Sequence, residues 1–295
     1  MDRIPYIDLH MHTAVSDGTD SPEQLLARVK EAGLRYFSVT DHDALRACTE
    51  IAALLTPSDP RFITGVEFSC RDGHGKYHIL GYRYDPDAEP IRAVIETGHG
   101  YRLKKLRMRL DFLRNNLHMP LSEEDERALF ALPNPGKPHV ANLMVRDGYA
   151  PDRNTAIRNY LDLLEIADDY VRPEEAIGGI LGAGGIPVLA HPCYGDGDQL
   201  ILGDELDERV RRLVGYGLSG LEAFYSGFSE KLRDEVLTLA ERYGLYVTAG
   251  SDYHGGNKMI RPGDTGFLPG MPMPEGMNRF LADAFGTREA RHGDL

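Results

Sequence analysis

The sequence predicts an α/β fold, because short apolar segments alternate with amphipathic helical patterns along most of its 295 residues. Most of the apolar segments lack polar alternation, as strands covered on both faces do. The helical patterns between them carry clear start and stop residues. From about residue 85 to 171 only helical patterns occur, so 85–171 reads as a helical insertion between two parts of one strand-rich body, 1–84 and 172–295.

The strand segments are Tyr6–His10, Tyr36–Thr40, Phe62–Ser69, Tyr77–Tyr82, Ile186–His191, Gly220–Phe224 and Leu245–Ser251. Strand–helix alternation at this spacing means βα units and a parallel sheet or barrel. Ser21-Pro22-Glu23-Gln24 is a capping-box start, and Gly33 is a natural stop for the helix it opens. Further helices are expected over about 43–55, 173–184, 204–217 and 229–243, the last two stopping at Gly217 and Gly244. In the insertion, patterns over roughly 90–117, 123–130, 138–147 and 152–164 are interrupted by the turn-rich run Pro133–Pro138. The polar tail after about Gly286 is expected to fray.

Composition narrows the function classes. Lys+Arg 33 against Asp+Glu 46 leaves a formal charge of −13, which disfavours a stable nucleic-acid surface built on excess cations. No apolar run approaches ~18 residues, so no transmembrane helix is expected, and the N-terminus lacks the basic-then-apolar pattern of a secretory signal. Three scattered cysteines, Cys48, Cys70 and Cys193, form no framework and point to a reducing cytoplasm.

The eleven histidines are the informative residues. His10 ends the first strand segment and His12 follows at i+2, so both imidazoles can face one ion. Asp17 lies just beyond, His42 follows the second segment, and Glu67 lies near the end of the third. His78 sits in the fourth, His191 closes the fifth, and Asp252 and His254 follow the seventh, again at i, i+2. In a barrel the strand ends converge on one face, and imidazole and carboxylate are the right ligands for first-row metals. A lone histidine is more often packed than ligating. Six histidines and three carboxylates at separate strand ends are more than one ion needs, which suggests two or three.

These motifs, Asp8-Leu9-His10-Met11-His12, Ser16-Asp17-Gly18, Thr40-Asp41-His42, Gly65-Val66-Glu67, His78-Ile79-Leu80-Gly81, Ala190-His191-Pro192 and Gly250-Ser251-Asp252-Tyr253-His254, resemble the PHP (polymerase and histidinol phosphatase) family. The resemblance implies a distorted (β/α)7 barrel, two or three divalent ions (Mn, Fe or Zn), and phosphate-ester hydrolysis. It implies Glu67 as a bridging carboxylate, with His10, His12 and Asp252 on a first ion, His78 and His191 on a second, and Asp17, His42 and His254 on a third. It also implies Glu67 and Asp252 as catalytic residues. Lys137-Pro138-His139-Val140-Ala141 and Gly182-Ala183-Gly184-Gly185 resemble the branch that acts on nucleoside 3′,5′-bisphosphates or phosphoribosyl cyclic phosphates. The chain departs from the bisphosphatase pattern at Asn142, where an arginine is usual, and at the acidic run 164–169.

The expected partner is a small phosphorylated substrate. Its grip is assigned to His139 with Lys137 at a helix start, to the α-helical stripe Arg102, Lys105 and Arg109, and to Tyr225 and Ser226 after the sixth strand. His191 and His139 are the candidates for protonating the leaving group. The competing readings are a metal amidohydrolase cutting C–N bonds and an oligonucleotide-degrading PHP exonuclease.

Overall fold

The computed structural model describes residues 6–166, 168–196 and 199–286, so the polar tail lies outside the described residues. The first half of the barrel runs β1 (Ile7–Asp8), α1 (Pro22–Glu31), β2 (Tyr36–Val39), α2 (Arg46–Leu54), β3 (Arg61–Asp72) and β4 (Gly75–Tyr82). Four helices follow without a strand: α3 (Glu89–Asn115), α4 (Glu123–Ala131), α5 (Lys137–Arg146) and α6 (Arg153–Asn159). The chain then returns through α7 (Pro173–Gly182), β5 (Ile186–Leu189), α8 (Gly203–Gly215), β6 (Gly220–Tyr225), α9 (Glu230–Arg242), β7 (Tyr246–Gly250) and α10 (Glu275–Phe285).

The strands form one seven-stranded sheet in sequence order. Its ends meet: Leu9 N–H donates to the Ala249 carbonyl at 2.9 Å and Asp252 N–H to the His10 carbonyl at 2.7 Å, nearly closing a barrel. The all-parallel expectation is corrected at one strand. β4 runs antiparallel to both β3 and β5. Only Gly73 and His74 separate β3 from β4, a connection that permits a hairpin and excludes a helical crossover. The reversal matters for the site: it brings the N-terminal half of β4, with Lys76 and His78, to the barrel end where the other strands terminate.

The capping box reads as the sequence predicts, with Ser21 Oγ accepting from Gln24 N–H at 3.2 Å and Gln24 Oε1 from Ser21 N–H at 2.8 Å. Strand and helix side chains share a main core that includes Phe68, Ile79, Tyr82, Val188 and Leu221. A second apolar cluster lies under α1 and α2, and the insertion helices have their own, around Leu106, Leu113, Val140 and Met144.

Helix α10 has no counterpart in the sequence reading. Its apolar residues Met277, Phe280 and Ala284 repeat at helical spacing, but the run Pro269-Gly270-Met271-Pro272-Met273-Pro274 before it reads as loop. The buried Phe280 ring meets Tyr82 edge-on at 5.4 Å, and α10 thereby covers the end of β4 and the start of β7, away from the site. Phe280→Ala is expected to lower unfolding free energy by about 3–5 kcal/mol in urea denaturation. A loss under ~1 kcal/mol would show that α10 is not a core element.

Candidate metal centre

Glu67 is the hub of the site. It sits on β3 opposite Leu80 of β4, its main chain held by Asp41 and Asp43 on the loop after β2. Its side chain is 1% exposed. Oε2 lies 3.3 Å from His10 Nε2, 3.2 Å from His12 Nε2 and 3.1 Å from His42 Nδ1. Oε1 lies 2.7 Å from His78 Nδ1 and 3.5 Å from His191 Nε2. Two oxygens therefore face five imidazoles delivered by different elements.

Asp252 and Asp17 extend the cluster on either side. Asp252 Oδ1 lies 3.3 Å from both His12 Nε2 and His254 Nδ1, and 3.6 Å from His10 Nε2. Asp17 Oδ1 lies 3.3 Å from His254 Nε2, and its Oδ2 is 4.0 Å from His42 Nε2. All nine residues read from the sequence thus lie in one connected group.

Protonation follows from this arrangement. Burial pushes the His42 and His78 imidazoles down, His78 to about 4, despite the opposing pull of Glu67, so both are held in the neutral form that ligates metal. Burial also opposes charge on His10 and His12, yet Glu222 and Glu67 beside the first, and Asp252 and Glu67 beside the second, raise both, His12 to about 9. Burial alone would raise Glu67, but the imidazoles around it, among them the charged His10, hold it well below the usual carboxylate range.

The donor set fits divalent cations. His10 Nε2, His12 Nε2 and Glu67 Oε1 are buried without a hydrogen-bond partner, whereas buried polar atoms are nearly always paired. Three groups place one ligating atom per residue within 4.8 Å of one another: His12–Asp17–His42–His254, His10–His12–Glu67 and His42–Glu67–His78.

A supporting layer went unread in the sequence. Glu222 of β6 accepts from the His191 N–H and lies 2.9 Å from His10 Nδ1, orienting that ring. Asp41 accepts from Thr13 N–H and Oγ and from Ser16 Oγ, holding the loop between His12 and Asp17. Asp8, raised to about 6 by burial, accepts from Ser251 and Gly263 N–H. The signal available was an acid inside a strand covered on both faces. Asp252 Oδ2, turned from the cluster, accepts from Tyr225 Oη at 3.0 Å and from Lys258 Nζ at 2.5 Å. Gly250 leaves no room for a side chain, since a Cβ there would stand 2.2 Å from His10 Cβ.

The predicted substrate contacts are distributed differently. A cavity of about 220 Å³ opens beside the cluster, lined by Asp17, His42 and His78 together with Lys76, Arg102, Lys105, Arg109 and Lys137. Lys105 and Arg109, each 7% exposed, lie in this lining and not on a solvated helix face. Lys76 was missed because its partner residues come from the insertion. Arg102 is occupied by Asp43 and Ser69, and Lys137 pairs with Asp162. His139 does not line the cavity: its Nδ1 accepts the Gly136 N–H at 3.0 Å, capping α5. Tyr225 reaches the cluster through Asp252, whereas Ser226 Oγ is buried without a partner. A larger cavity of about 620 Å³, lined by Arg28, Tyr253 and Arg261, contains none of the nine.

Comparison with known proteins agrees with this geometry. A family model described as PHP domain matches residues 8–170. A 3′,5′-nucleoside bisphosphate phosphatase of Chromobacterium violaceum is 29% identical over 84% of this chain and 87% of its own length. A phosphoribosyl 1,2-cyclic phosphate 1,2-diphosphodiesterase of Eggerthella lenta is 31% identical over 84% of this chain and 94% of its own. A 5′-3′ exoribonuclease of Haemophilus influenzae is 28% identical over 84% and 89%. A solved structure from Bifidobacterium adolescentis, described as a metal-dependent phosphoesterase, superposes with a TM-score of 0.76 at 26% identity, covering 96% of this chain and 98% of that one.

Glu222→Gln keeps the shape beside His10 but removes the charge. It is expected to weaken divalent-ion affinity by about 10–100-fold in chelator competition. Unchanged affinity would show that Glu222 does not orient a ligand.

Proposed function

Because the chain belongs to the PHP family, we propose that its Glu67-centred cluster makes it a metal-dependent hydrolase of phosphate esters in small sugar-phosphate or nucleotide-like substrates. The observation that carries this reading is the convergence of buried, unpartnered ligand atoms beside a cavity lined by basic residues, of which Lys76, Lys105 and Arg109 have no ion pair among the described residues. We take 1–84 and 172–295 as the barrel and 85–171 as its insertion. Two or three divalent ions (Mn, Fe or Zn) would be held by Glu67 as the shared carboxylate, by His10, His12 and Asp252, by His78 and His191, and by Asp17, His42 and His254. Such ions supply Lewis-acid polarisation of phosphoryl oxygens and acidify water.

The chain's own residues do the rest. Lys76, Lys105 and Arg109 bind an anionic group of the substrate away from the scissile ester, because each lines the cavity and none has a carboxylate partner among the described residues. Tyr225 and Lys258 hold Asp252 from behind, so that its Oδ1 keeps facing the cluster. His191, at the partly exposed rim against Tyr225, and His139, whose Nδ1 accepts from Gly136 N–H while its ring stands near Ser16 and Asp17, are the candidate proton donors. No described helix is long and apolar enough to cross a membrane, and the three cysteines are buried and unpaired, which supports a reducing cytoplasm.

A screen of nucleoside bisphosphates, nucleoside monophosphates and cyclic sugar phosphates with Mn-reconstituted enzyme, reading free phosphate from the monoesters and ring-opened monoester from the cyclic diesters, tests the reading. Preferential hydrolysis of one class is expected. Ammonia release without phosphate release would favour the amidohydrolase reading, and stepwise shortening of RNA would favour the exonuclease. Glu67→Ala and Asp252→Ala are each expected to lose bound metal and all detectable turnover; full turnover by either would sink the site assignment.

Lys105 offers a pH test. Burial, then the neighbouring Arg102 charge, pushes its ammonium down from 10.5 to about 6. Between those values the unfolded chain carries a proton that the native protein lacks, so this residue's contribution makes stability rise with pH across that window. At pH 7.5 an anion entering the cavity favours the charged form, so sulfate binding should draw a proton into wild type and none into Lys105→Met. Calorimetry in buffers of different ionisation enthalpy reads this directly. Equal proton uptake by both proteins would remove Lys105 from the anion site.

A further inference from the structure

Several contacts join the insertion to the loop that carries His42. Arg102, on α3, donates from Nε to Asp43 Oδ2 at 2.6 Å and from Nη2 to Ser69 Oγ at 3.1 Å. Asn134, in the turn between α4 and α5, donates from its side-chain amide to the His42 carbonyl. On the barrel side, Ser69 N–H donates to Asp43 Oδ1 at 3.2 Å, and Ser69 Oγ lies 3.4 Å from His42 Nδ1. Asp43 N–H donates to the Glu67 carbonyl at 2.9 Å. Asp43 itself holds φ at +46°, a conformation that a non-glycine residue keeps when its surroundings over-determine it. Helix α3 approaches this closely because Gly98 faces Asp43; a Cβ there would stand 3.3 Å from Asp43 Oδ1.

His42 belongs to two of the three ligand groups and is absent from His10–His12–Glu67. Moving it would therefore disturb one part of the cluster and spare another. We propose that Arg102 is a positioning residue: by holding Asp43 and Ser69 from the insertion, it sets the His42 imidazole, which makes α3 a working part of the metal centre as well as a wall of the substrate cavity. The proposal rests on the metal-binding reading above. A planar guanidinium bonding two acceptors from different nitrogens is what the geometry uses, and a lysine ammonium is a point charge on a flexible stem.

The test is metal content and Mn²⁺ affinity of the full chain, measured by elemental analysis and equilibrium titration, with circular dichroism to confirm folding. Arg102→Ala and Arg102→Lys are expected to bind one ion fewer, or to hold their weakest ion about 10–100-fold less tightly, while retaining the rest. Ser69→Ala, which removes only the hydroxyl beside His42, is expected to weaken the same ion. Lys104→Ala, removing an exposed cation next to Arg102 on α3 that pairs with Asp169, should match wild type. Wild-type stoichiometry and affinities in the Arg102 variants would overturn the proposal. So would an equal loss of every ion, which would make Arg102 a support for the fold at large. Should Arg102→Ala fail to fold, Arg102→Lys and Ser69→Ala decide the matter. Wild type that takes up no divalent ion would instead defeat the functional reading on which the proposal stands.

Discussion

A carboxylate buried in a protein interior must find positive charge or donors, and Glu67 is the one on which this molecule is organised. Its two oxygens can be served only from several directions at once, and five imidazoles from four separate segments do so. The tight hairpin that reverses β4 serves the same hub, because a parallel β4 would carry His78 to the other end of the barrel. Three of the six non-glycine residues with left-handed backbone among the described residues lie here: Asp43, His191 and Asp252 hold φ of +46°, +28° and +57°. Such conformations cost of order 1–3 kcal/mol each and persist where the surroundings impose them. Here they turn the chain so that ligands from loop ends point inward.

Around the hub, electrostatics run against the bulk of the molecule. The chain carries −13, yet the cavity beside the cluster is lined by Lys76, Lys105 and Arg109, none of them ion-paired among the described residues, with Asp17 of the cluster as its carboxylate. Lys105 instead lies 3.4 Å above the Tyr170 ring, where cation–π attraction offsets part of its desolvation. Net charge sums a surface that faces solvent, whereas an anionic substrate meets only the few cations lining its pocket. The insertion supplies most of those cations, so the helices that looked like an appendage set what the barrel can grip.

How much was legible depended on whether a signal was local. The capping box at Ser21, the strands near Tyr36, Ile186 and Gly220, and the helix stop at Gly244 were readable because short-range hydrogen bonds and backbone conformation determine them. Most of the nine candidate ligands were readable because they follow or lie near the end of an apolar segment, and a barrel gathers such positions onto one face; His78, near the start of its segment, reaches that face because β4 is reversed. Helix α10 was hidden by the prolines before it, although its own spacing was helical. The antiparallel course of β4 could have been inferred from the seven residues between Ser69 and Tyr77, too few for a helical crossover. Glu222 and Asp8 were signalled only by being acids in strands otherwise apolar.

Reading side-chain roles was harder. Arg102, Lys105 and Arg109 share one helix face, and the sequence by itself determined that they point together. Only the tertiary structure decided that Arg102 is committed to Asp43 and Ser69 while Lys105 and Arg109 face a cavity. The reason is physical: residue type, spacing and chain direction are encoded over a few neighbours. Which charge meets which partner depends on groups more than twenty positions away, and on how much water the packed elements leave between them.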